Sequence, residues 1–267
     1  MALKIKDMHN ILEERAPSRL MESYDNVGLM VGDMEQEVSS VLVALDCTLE
    51  VIREAEAKGC NLIFCHHPLI FQKPSSITTD KLLGKKIIEL ISKGISVYSS
   101  HTNLDSAKGG LNDILMGLLG LKETNILEAV PGEIDAGIGR IATLEEPVTL
   151  SALIDRVKES LDLEVVRFSG DENKVISKLA AINGSGQSFF CSAVREGADC
   201  IVTGDTTYHY VSDLREEGIA VIDAGHYGTE WPALKMFSKW LQNRIVEMGL
   251  ENSVVVAESN SCPYKYR

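Results

Sequence analysis

The sequence predicts an α/β protein of two interlinked α/β lobes with mainly parallel sheets. Short apolar runs alternate with amphipathic segments along most of the 267 residues, which is the rhythm of strands and helices in such folds. The runs at 41–45 and 61–65 are continuously apolar, as expected of strands that are buried on both faces of a parallel sheet.

The first lobe begins with an amphipathic helix at 7–21, in which Pro17 either ends the helix or begins a second short one. A turn and a short strand follow at 24–32. Further strands are expected at 41–45, 61–65 and 95–99, and further helices at 48–58, 80–92 and 110–119. Gly59 is placed to end the helix at 48–58.

The second lobe repeats the alternation after a seam near Pro131. Strands are expected at 139–144, 164–168, 175–182, 200–203 and 219–223, and helices at 150–161, 188–196 and 211–217. A long helix at 231–247 and a strand at 254–257 follow. We place the first lobe at 1–127 and the second at 128–239. The segment 240–267 is left open, because its helix and strand could return to the first lobe.

The composition excludes several classes of function. Lys and Arg total 26 against 39 Asp and Glu, giving a formal charge of −13 without a basic cluster. Nucleic-acid binding is therefore disfavoured, because it needs Lys and Arg on the phosphates. No apolar run is long enough to span a membrane. The six cysteines form no C-x-x-C pair and fall partly in apolar runs, which favours reduced thiols and a cytoplasmic location.

Metal-binding side chains follow three of the expected strands: His66 and His67 after one, His101 and Asp105 after the next, and His226 and Glu230 after a third. Ligands of open parallel sheets bind at the carboxyl ends of strands. One such ending would be unremarkable, but three from distant segments predict a single metal site at the strand ends, between the two lobes.

The spacings suit two neighbouring ions. Adjacent side chains on extended backbone point in different directions, so His66 and His67 would each serve a different ion. His226 and Glu230 are four residues apart at the start of a helix and share one face. Glu230 is expected to bridge the two ions through its two oxygens, and Asp105 supplies another hard oxygen ligand.

Imidazole and carboxylate ligands together favour zinc, iron, manganese, cobalt or nickel over calcium or magnesium. Each motif alone is weak, because histidine pairs before a proline are often loops and H-x-x-x-E occurs by chance on helices. Their combination at three strand ends favours a metal. Cys65 precedes His66, but the alternation of the strand turns its thiol into the core, so we do not expect it to bind an ion.

His101 and His209 are the candidates for proton transfer. His101 is expected to face the substrate or to support the ligands, in preference to binding an ion directly. His209 is either a catalytic or substrate-binding group or a surface histidine, and both readings stay open. Asp46 could orient a ligand histidine, and Asp205 could do the same or cap a helix.

The run Asn-Gly-Ser-Gly at 183–186 precedes an expected helix. Glycine-rich turns that lead into helices can bind anions through backbone N–H groups, which would suit a phosphorylated substrate. The run matches no established phosphate-binding motif, so a tight turn with a helix cap is the preferred interpretation.

In combination these motifs resemble the Nif-three-like family, whose members are known as GTP cyclohydrolase 1 type 2 homologues. The resemblance spans nearly the whole chain. It is carried by Tyr24-Asp-Asn-Val-Gly-Leu, His66-His-Pro-Leu-Ile-Phe, His101-Thr-Asn-Leu-Asp, Gly184-Ser-Gly, Thr203-Gly-Asp and Gly225-His-Tyr-Gly-Thr-Glu.

The resemblance implies a dinuclear metal centre, with two divalent ions per subunit. His66 and Asp105 would hold one ion, His67 and His226 the other, and Glu230 would contact both. The resemblance also implies a homohexamer, a trimer of dimers whose sites face an interior cavity.

Two functions are open at this point. A metal-dependent hydrolase would activate a bridging water to attack an electrophilic carbon of a small molecule, and the family name implies a nucleotide substrate, with ring opening of GTP. The alternative is a non-catalytic metal-binding scaffold or a regulatory interaction protein. Five protein ligands shared by two ions leave coordination positions vacant, whereas structural sites are normally closed, which favours catalysis.

Overall fold

The fold is given by a computed structural model that describes residues 2–265 and residue 267. Two compact units divide the chain. The first contains Met1–Leu104 and Leu234–Ser261, and the second contains Asp105–Ala233 and Cys262–Arg267. This division into units does not test the predicted lobe boundaries at residues 127 and 239, which remain predictions.

Helices and strands alternate as the sequence predicts. The helices are α1 (Ile5–Arg15), α2 (Leu49–Ala57), α3 (Leu82–Lys93), α4 (Thr102–Ser106), α5 (Leu111–Leu118), α6 (Leu150–Leu161), α7 (Phe190–Arg195), α8 (Tyr208–Glu216) and α9 (His226–Glu247). The strands are β1 (Gly28–Val31), β2 (Val41–Ala44), β3 (Leu62–Cys65), β4 (Ser96–Ser99), β5 (Asn125–Ala129), β6 (Gly137–Thr149), β7 (Arg167–Ser169), β8 (Val175–Ser185), β9 (Cys200–Gly204), β10 (Ala220–Asp223) and β11 (Val254–Val256). Short 3₁₀ turns lie at Ser18–Leu20 and Gln187–Phe189.

The sheet of the first unit has the strand order β1-β4-β3-β2-β11. Strands β11, β2, β3 and β4 run parallel, and β1 joins the edge antiparallel to β4, with Gly28 opposite Ser99. The carboxyl ends of β2, β3 and β4 and the amino end of β1 therefore lie along one edge. The C-terminal strand β11 belongs to this sheet, because it pairs with β2.

Alternation along the strands of the first sheet buries both faces. Leu42, Ile63 and Val97 pack in a buried cluster with Ile52 of α2 and Leu90 of α3. On the opposite face, the ring of Phe64 stacks on Phe237 of α9 with the ring centroids 5.8 Å apart. The continuous apolar runs of β2 and β3 follow from burial on both faces.

The sheet of the second unit has the strand order β5-β6-β8-β9-β10-β7. Strands β8, β9 and β10 run parallel, while β5, β6 and β7 pair antiparallel. Its two faces bury different sets of alternating residues: Cys200 and Val202 pack with residues of α5 and α6, whereas Ile201 packs with residues of α7 and α8. The carboxyl ends of β8, β9 and β10 share one edge.

The expected α/β class with two sheets is confirmed. The parallel strands are flanked by antiparallel edge strands, of which β5 was not expected because its residues are mostly exposed or half-buried. Helix α9 begins at His226, five positions before the expected start, and contains Pro232. This earlier start places both His226 and Glu230 in the first turns of the helix. Among the described residues, no helix combines the length and apolar character that crossing a membrane requires.

Glu54 of α2 fixes the C-terminal segment onto the first unit. Its carboxylate accepts hydrogen bonds from the backbone N–H groups of Glu258 and Ser259, both at 2.8 Å, and pairs with Lys58 at 2.8 Å. Burial alone would raise the pKa of Glu54, but the bonds from Lys58 and Ser259 outweigh it and lower the pKa to about 2.

We expect Glu54→Gln to cost about 1.5–3 kcal/mol of unfolding free energy at pH 7, because it removes hydrogen bonds to a charged acceptor. The folded pKa of about 2 lies below the ordinary value of 4.5, so this contribution is complete above pH 4.5. It is lost as the pH falls from 4.5 towards 2. Urea denaturation of wild type and variant at pH 7 and at pH 3 measures the difference.

The control for this prediction is Glu56→Gln on the same helix, whose carboxylate is 54% exposed and pairs with Lys93 on the surface. Such exposed pairs contribute about 0–1 kcal/mol. Equal stability of Glu54→Gln and wild type at pH 7 would contradict the role assigned to Glu54.

Candidate metal-binding site

Three histidines meet at the carboxyl edge of the first sheet. His66 and His67 follow β3, and His101 follows β4, so the parallel pairing of the two strands brings their side chains together. The centroids of their rings are 5.1 to 5.7 Å apart. One ring nitrogen of each lies within 4.8 Å of the others, a group that could hold a metal ion.

Oxygen partners fix the tautomers of the histidine pair. His66 Nδ1 lies 2.9 Å from the backbone oxygen of Ser100, which can only accept, so this nitrogen carries the proton. His67 Nδ1 lies 2.9 Å from a carboxylate oxygen of Asp46, which follows the neighbouring strand β2. In the neutral rings Nε2 then has the lone pair that a metal requires. The contact with a histidine that was predicted for Asp46 is present.

His101 is held in the same way by Asp25, a residue to which the sequence analysis gave no role. Its Nδ1 lies 2.8 Å from Asp25 Oδ1, while the backbone N–H of Thr102 donates to Asp25 Oδ2 at 3.0 Å. Burial alone would raise the pKa of Asp25, but the hydrogen bonds from His101 and Thr102 outweigh it and lower the pKa to about 2. Asp25 is therefore ionised across the physiological range.

The thiol of Cys65 points away from the histidines into the core, as expected. It is fully buried and lies 3.2 Å from the hydroxyl oxygen of Ser99. Burial raises the pKa of Cys65 to about 12, which keeps the thiol protonated. This environment does not favour thiolate ligation.

In the second unit, His226 and Glu230 form a pair on the first turns of α9. His226 Nε2 lies 3.1 Å from Glu230 Oε1. Two ligands of one tetrahedral ion, with bonds of about 2.0–2.1 Å, lie about 3.3 Å apart, so the spacing suits shared coordination. The amino end of a helix also stabilises the buried Glu230 carboxylate through the helix dipole.

His226 is oriented by the loop that follows β9. Its Nδ1 lies 2.8 Å from Asp205 Oδ2. Asp205 has a positive φ of 53°, a conformation that aspartate tolerates better than most residues. Asp223 holds this loop in place, because it accepts hydrogen bonds from the backbone N–H groups of Thr206 at 3.1 Å and Gly225 at 3.0 Å. Of the two roles considered for Asp205, orientation of a histidine is the observed one.

Gly184, at the end of β8, shapes the space around Glu230. A Cβ atom at this position would lie 2.2 Å from Glu230 Oε1 and 3.3 Å from His226 Nε2. Its φ of +59° also favours glycine. The Gly184 N–H donates to Thr229 Oγ1 at 2.9 Å, which ties the strand end to the first turn of α9. Gly184 thus fits closely against the His226–Glu230 pair.

Asp105, the remaining predicted ligand, is positioned by two asparagines of the second unit. The Asn183 side chain donates to Asp105 Oδ1 at 2.6 Å, and the Asn112 side chain donates to the Asp105 backbone oxygen at 3.1 Å. Asn112 also accepts from the Asn183 N–H at 3.0 Å. The carboxylate is therefore buried with a defined orientation.

His209 is the second residue predicted as a candidate for proton transfer. It is exposed on α8 with its ring centroid 5.4 Å from that of Tyr208. Within residues 2–265, the histidine group of the first unit does not include it.

Comparisons with known proteins show which family the chain resembles. The model of the family described as Duf34/NIF3 (NGG1p interacting factor 3) matches residues 3–263. The chain belongs to this family. A Clostridium acetobutylicum relative, named GTP cyclohydrolase 1 type 2 homolog, is 53% identical over 268 residues and covers 100% of both chains. The family resemblance stated from the motifs is confirmed.

Solved structures of Duf34/NIF3 relatives share the fold over the entire chain. A Staphylococcus aureus hypothetical protein superposes with a TM-score of 0.92 at 32% identity, covering 100% of both chains. A Bacillus cereus protein described as related to NIF3 gives a TM-score of 0.91 at 26% identity, again with 100% of both chains covered. The two-sheet architecture is therefore that of the family.

Sequence reasoning missed Asp25, Asn183 and Thr229 as supports of this candidate site. Asp25 and Thr229 lie in motifs that carried the resemblance, and Asn183 begins the glycine-rich run. The only indication of their role in the sequence was their position inside motifs rich in histidine and glycine. Their hydrogen-bond partners could not be predicted, because these lie in distant segments of the chain.

We expect Gly184→Ala to lower metal content and Gly197→Ala to leave it unchanged. Both glycines have positive φ, so both variants should lose about 1 kcal/mol of stability from backbone strain. Only position 184 has Glu230 within 2.2 Å of the added Cβ, whereas position 197 has nothing within 4 Å. Elemental analysis of the purified variants measures the metal, and equal content in both would contradict the role of Gly184.

Proposed function

We propose that the protein binds two divalent metal ions and uses them to hydrolyse a small organic substrate; the ligands are His66, His67, Asp105, His226 and Glu230. The observation that carries the proposal is the way the histidines are held. Each of His66, His67 and His226 contacts an oxygen through Nδ1. This contact leaves the lone pair of the neutral ring on Nε2, where it would be available to a metal, as is usual for metal-binding histidines.

We divide the five ligands between two ions as the family resemblance implies. His66 and Asp105 would hold one ion, His67 and His226 the other, and Glu230 would contact both. The 3.1 Å spacing of Glu230 and His226 supports a shared ion. Imidazole and carboxylate donors favour zinc, iron, manganese, cobalt or nickel.

The metals and the protein contribute different parts of the chemistry. When bound, a pair of divalent ions supplies Lewis acidity and lowers the pKa of a coordinated water toward neutrality. Asp25 holds His101 through Nδ1, so Nε2 of the neutral ring can accept a proton and later return it. We assign proton transfer to His101, and we retain His209 as a second candidate for proton transfer or substrate contact.

The first substrate to test is GTP. The Clostridium acetobutylicum relative carries the name GTP cyclohydrolase 1 type 2 homolog, and a Clostridium perfringens relative at 51% identity carries the same name. A cyclohydrolase would add water to a carbon of the purine ring and open it. For this chain, nucleotide hydrolysis is a proposal that rests on those names and on the metal-binding geometry.

A non-catalytic role is the alternative, as a metal-binding scaffold or a regulatory interaction protein. The family description, NGG1p interacting factor 3, refers to an interaction. In that case the metal would be retained without turnover of any nucleotide.

We further propose a homohexamer, a trimer of dimers, that acts in the cytoplasm. The hexamer rests on the family resemblance and is checked by light scattering in solution. The cytoplasmic location is supported by the cysteines, all six of which lie in the described part of the chain as free thiols. Reduced thiols suit a reducing compartment.

We expect about two metal ions per wild-type chain and the loss of at least one ion in Glu230→Gln, which keeps the side-chain shape but removes the charge. Elemental analysis after reconstitution with zinc or manganese gives the content. GTP consumption is measured on the same samples, and it should fall together with the metal. The matched control is Glu216→Gln, an exposed glutamate on α8, which should retain both properties.

The outcomes separate the two functions. Turnover that disappears with the metal supports the hydrolase, whereas two ions without turnover support the scaffold or a different substrate. A wild-type chain that binds no metal after reconstitution would overturn the metal-binding proposal itself.

A further inference from the structure

Two exposed aromatic rings adjoin the histidine group of the first unit. Tyr24 is 62% exposed and Phe71 is 47% exposed. The Phe71 ring meets His101 edge-on, with centroids 6.4 Å apart at 82°, and the Tyr24 ring lies 6.4 Å from Phe71 at 58°. A continuous row of rings therefore leads from solvent to the histidines that we assign to metal binding.

The backbone segments that carry these rings are fixed. Asp25, next to Tyr24, is bonded to His101 and to the Thr102 N–H. The side chain of Asn26 donates to the backbone oxygen of Ile70, next to Phe71, at 2.6 Å. The hydrogen bonds of Asp25 and Asn26 thus hold the backbone beside both aromatic residues in place, so binding to them would require little ordering of the chain.

The position of the rings indicates a ligand. Single exposed aromatic residues are common on protein surfaces. Here two of them lie side by side, next to a group of histidines that could hold a metal ion. Ligand sites typically combine aromatic side chains with a few converging polar groups. Exposed aromatic rings bind planar rings by stacking, largely independently of the identity of the base.

We propose that Tyr24 and Phe71 form a stacking platform for a planar heteroaromatic ring of the substrate, which lies flat on one of the two inclined rings and meets the other at an angle. The platform would hold the ring next to His101, with the polar or reacting part of the substrate toward His66 and His67. This inference rests on the proposed function for the site itself and adds the two residues that would hold the flat aromatic heterocycle of the substrate. The alternative occupant of the rings is a second copy of the chain.

The test compares probes with and without a ring. Affinities of the four ribonucleoside triphosphates and of inorganic tripolyphosphate are measured by thermophoresis on zinc-loaded wild type and on Tyr24→Ala/Phe71→Ala. Metal content and molecular mass are measured on the same samples. Tyr24→Phe retains a ring and serves as the conservative variant, and Tyr264→Ala removes a tyrosine that is 70% exposed in the C-terminal segment.

We expect at least one nucleoside triphosphate to bind wild type more tightly than tripolyphosphate does. The double variant should weaken that nucleotide by about tenfold or more, because stacking contributes strongly per base, while tripolyphosphate affinity, metal content and mass stay unchanged. Tyr24→Phe and Tyr264→Ala should bind the nucleotide like wild type.

Three results would overturn the platform: no preference of wild type for any ring-containing probe, an equal loss of tripolyphosphate affinity in the double variant, or a change of mass that reveals an interface between copies. Failure of the metal proposal is recognised separately, by elemental analysis. The preference for a ring over tripolyphosphate can be measured on metal-free protein as well. A failure of the metal-binding proposal can therefore be distinguished from a failure of the stacking proposal.

Discussion

The candidate site depends on oxygen atoms at strand ends that hold histidine rings through Nδ1. Asp46 and the Ser100 carbonyl do this for the adjacent pair, and Asp205 does it for His226. Each of these contacts fixes both the orientation of a ring and the nitrogen that has the lone pair. Without them the side chains could rotate or change tautomer, and a metal would have to pay the cost of ordering them.

Parallel strand pairing is what supplies these oxygens. In the first unit, the carboxyl ends of β2, β3 and β4 are neighbours, so residues from three distant segments share an edge. In the second unit, β8, β9 and β10 do the same for Gly184, Asp205 and His226. Each sheet therefore places its own candidate ligands by the same rule, which is the general placement of ligands at the strand ends of open α/β sheets.

The sequence predicted the features that depend on interactions between residues close together along the chain. Helix α6 has the predicted bounds at both ends, because Thr149 caps it and its apolar spacing is regular. The histidines could be found because they follow apolar strands directly. Asp25 could not, since its contact with His101 depends on the antiparallel pairing of β1 with β4. The need for glycine at position 184 was equally hidden, because it arises from the approach of Glu230, far along the chain.

The central claim is that two metal ions share Glu230 as a ligand. Anomalous X-ray scattering from crystals grown with zinc or manganese tests it most directly. We expect two peaks about 3.5–4 Å apart, one bonded to His66 and Asp105, the other to His67 and His226, with Glu230 in contact with both. A single peak held by His66, His67 and His101 alone, or two peaks that do not share Glu230, would contradict the claim.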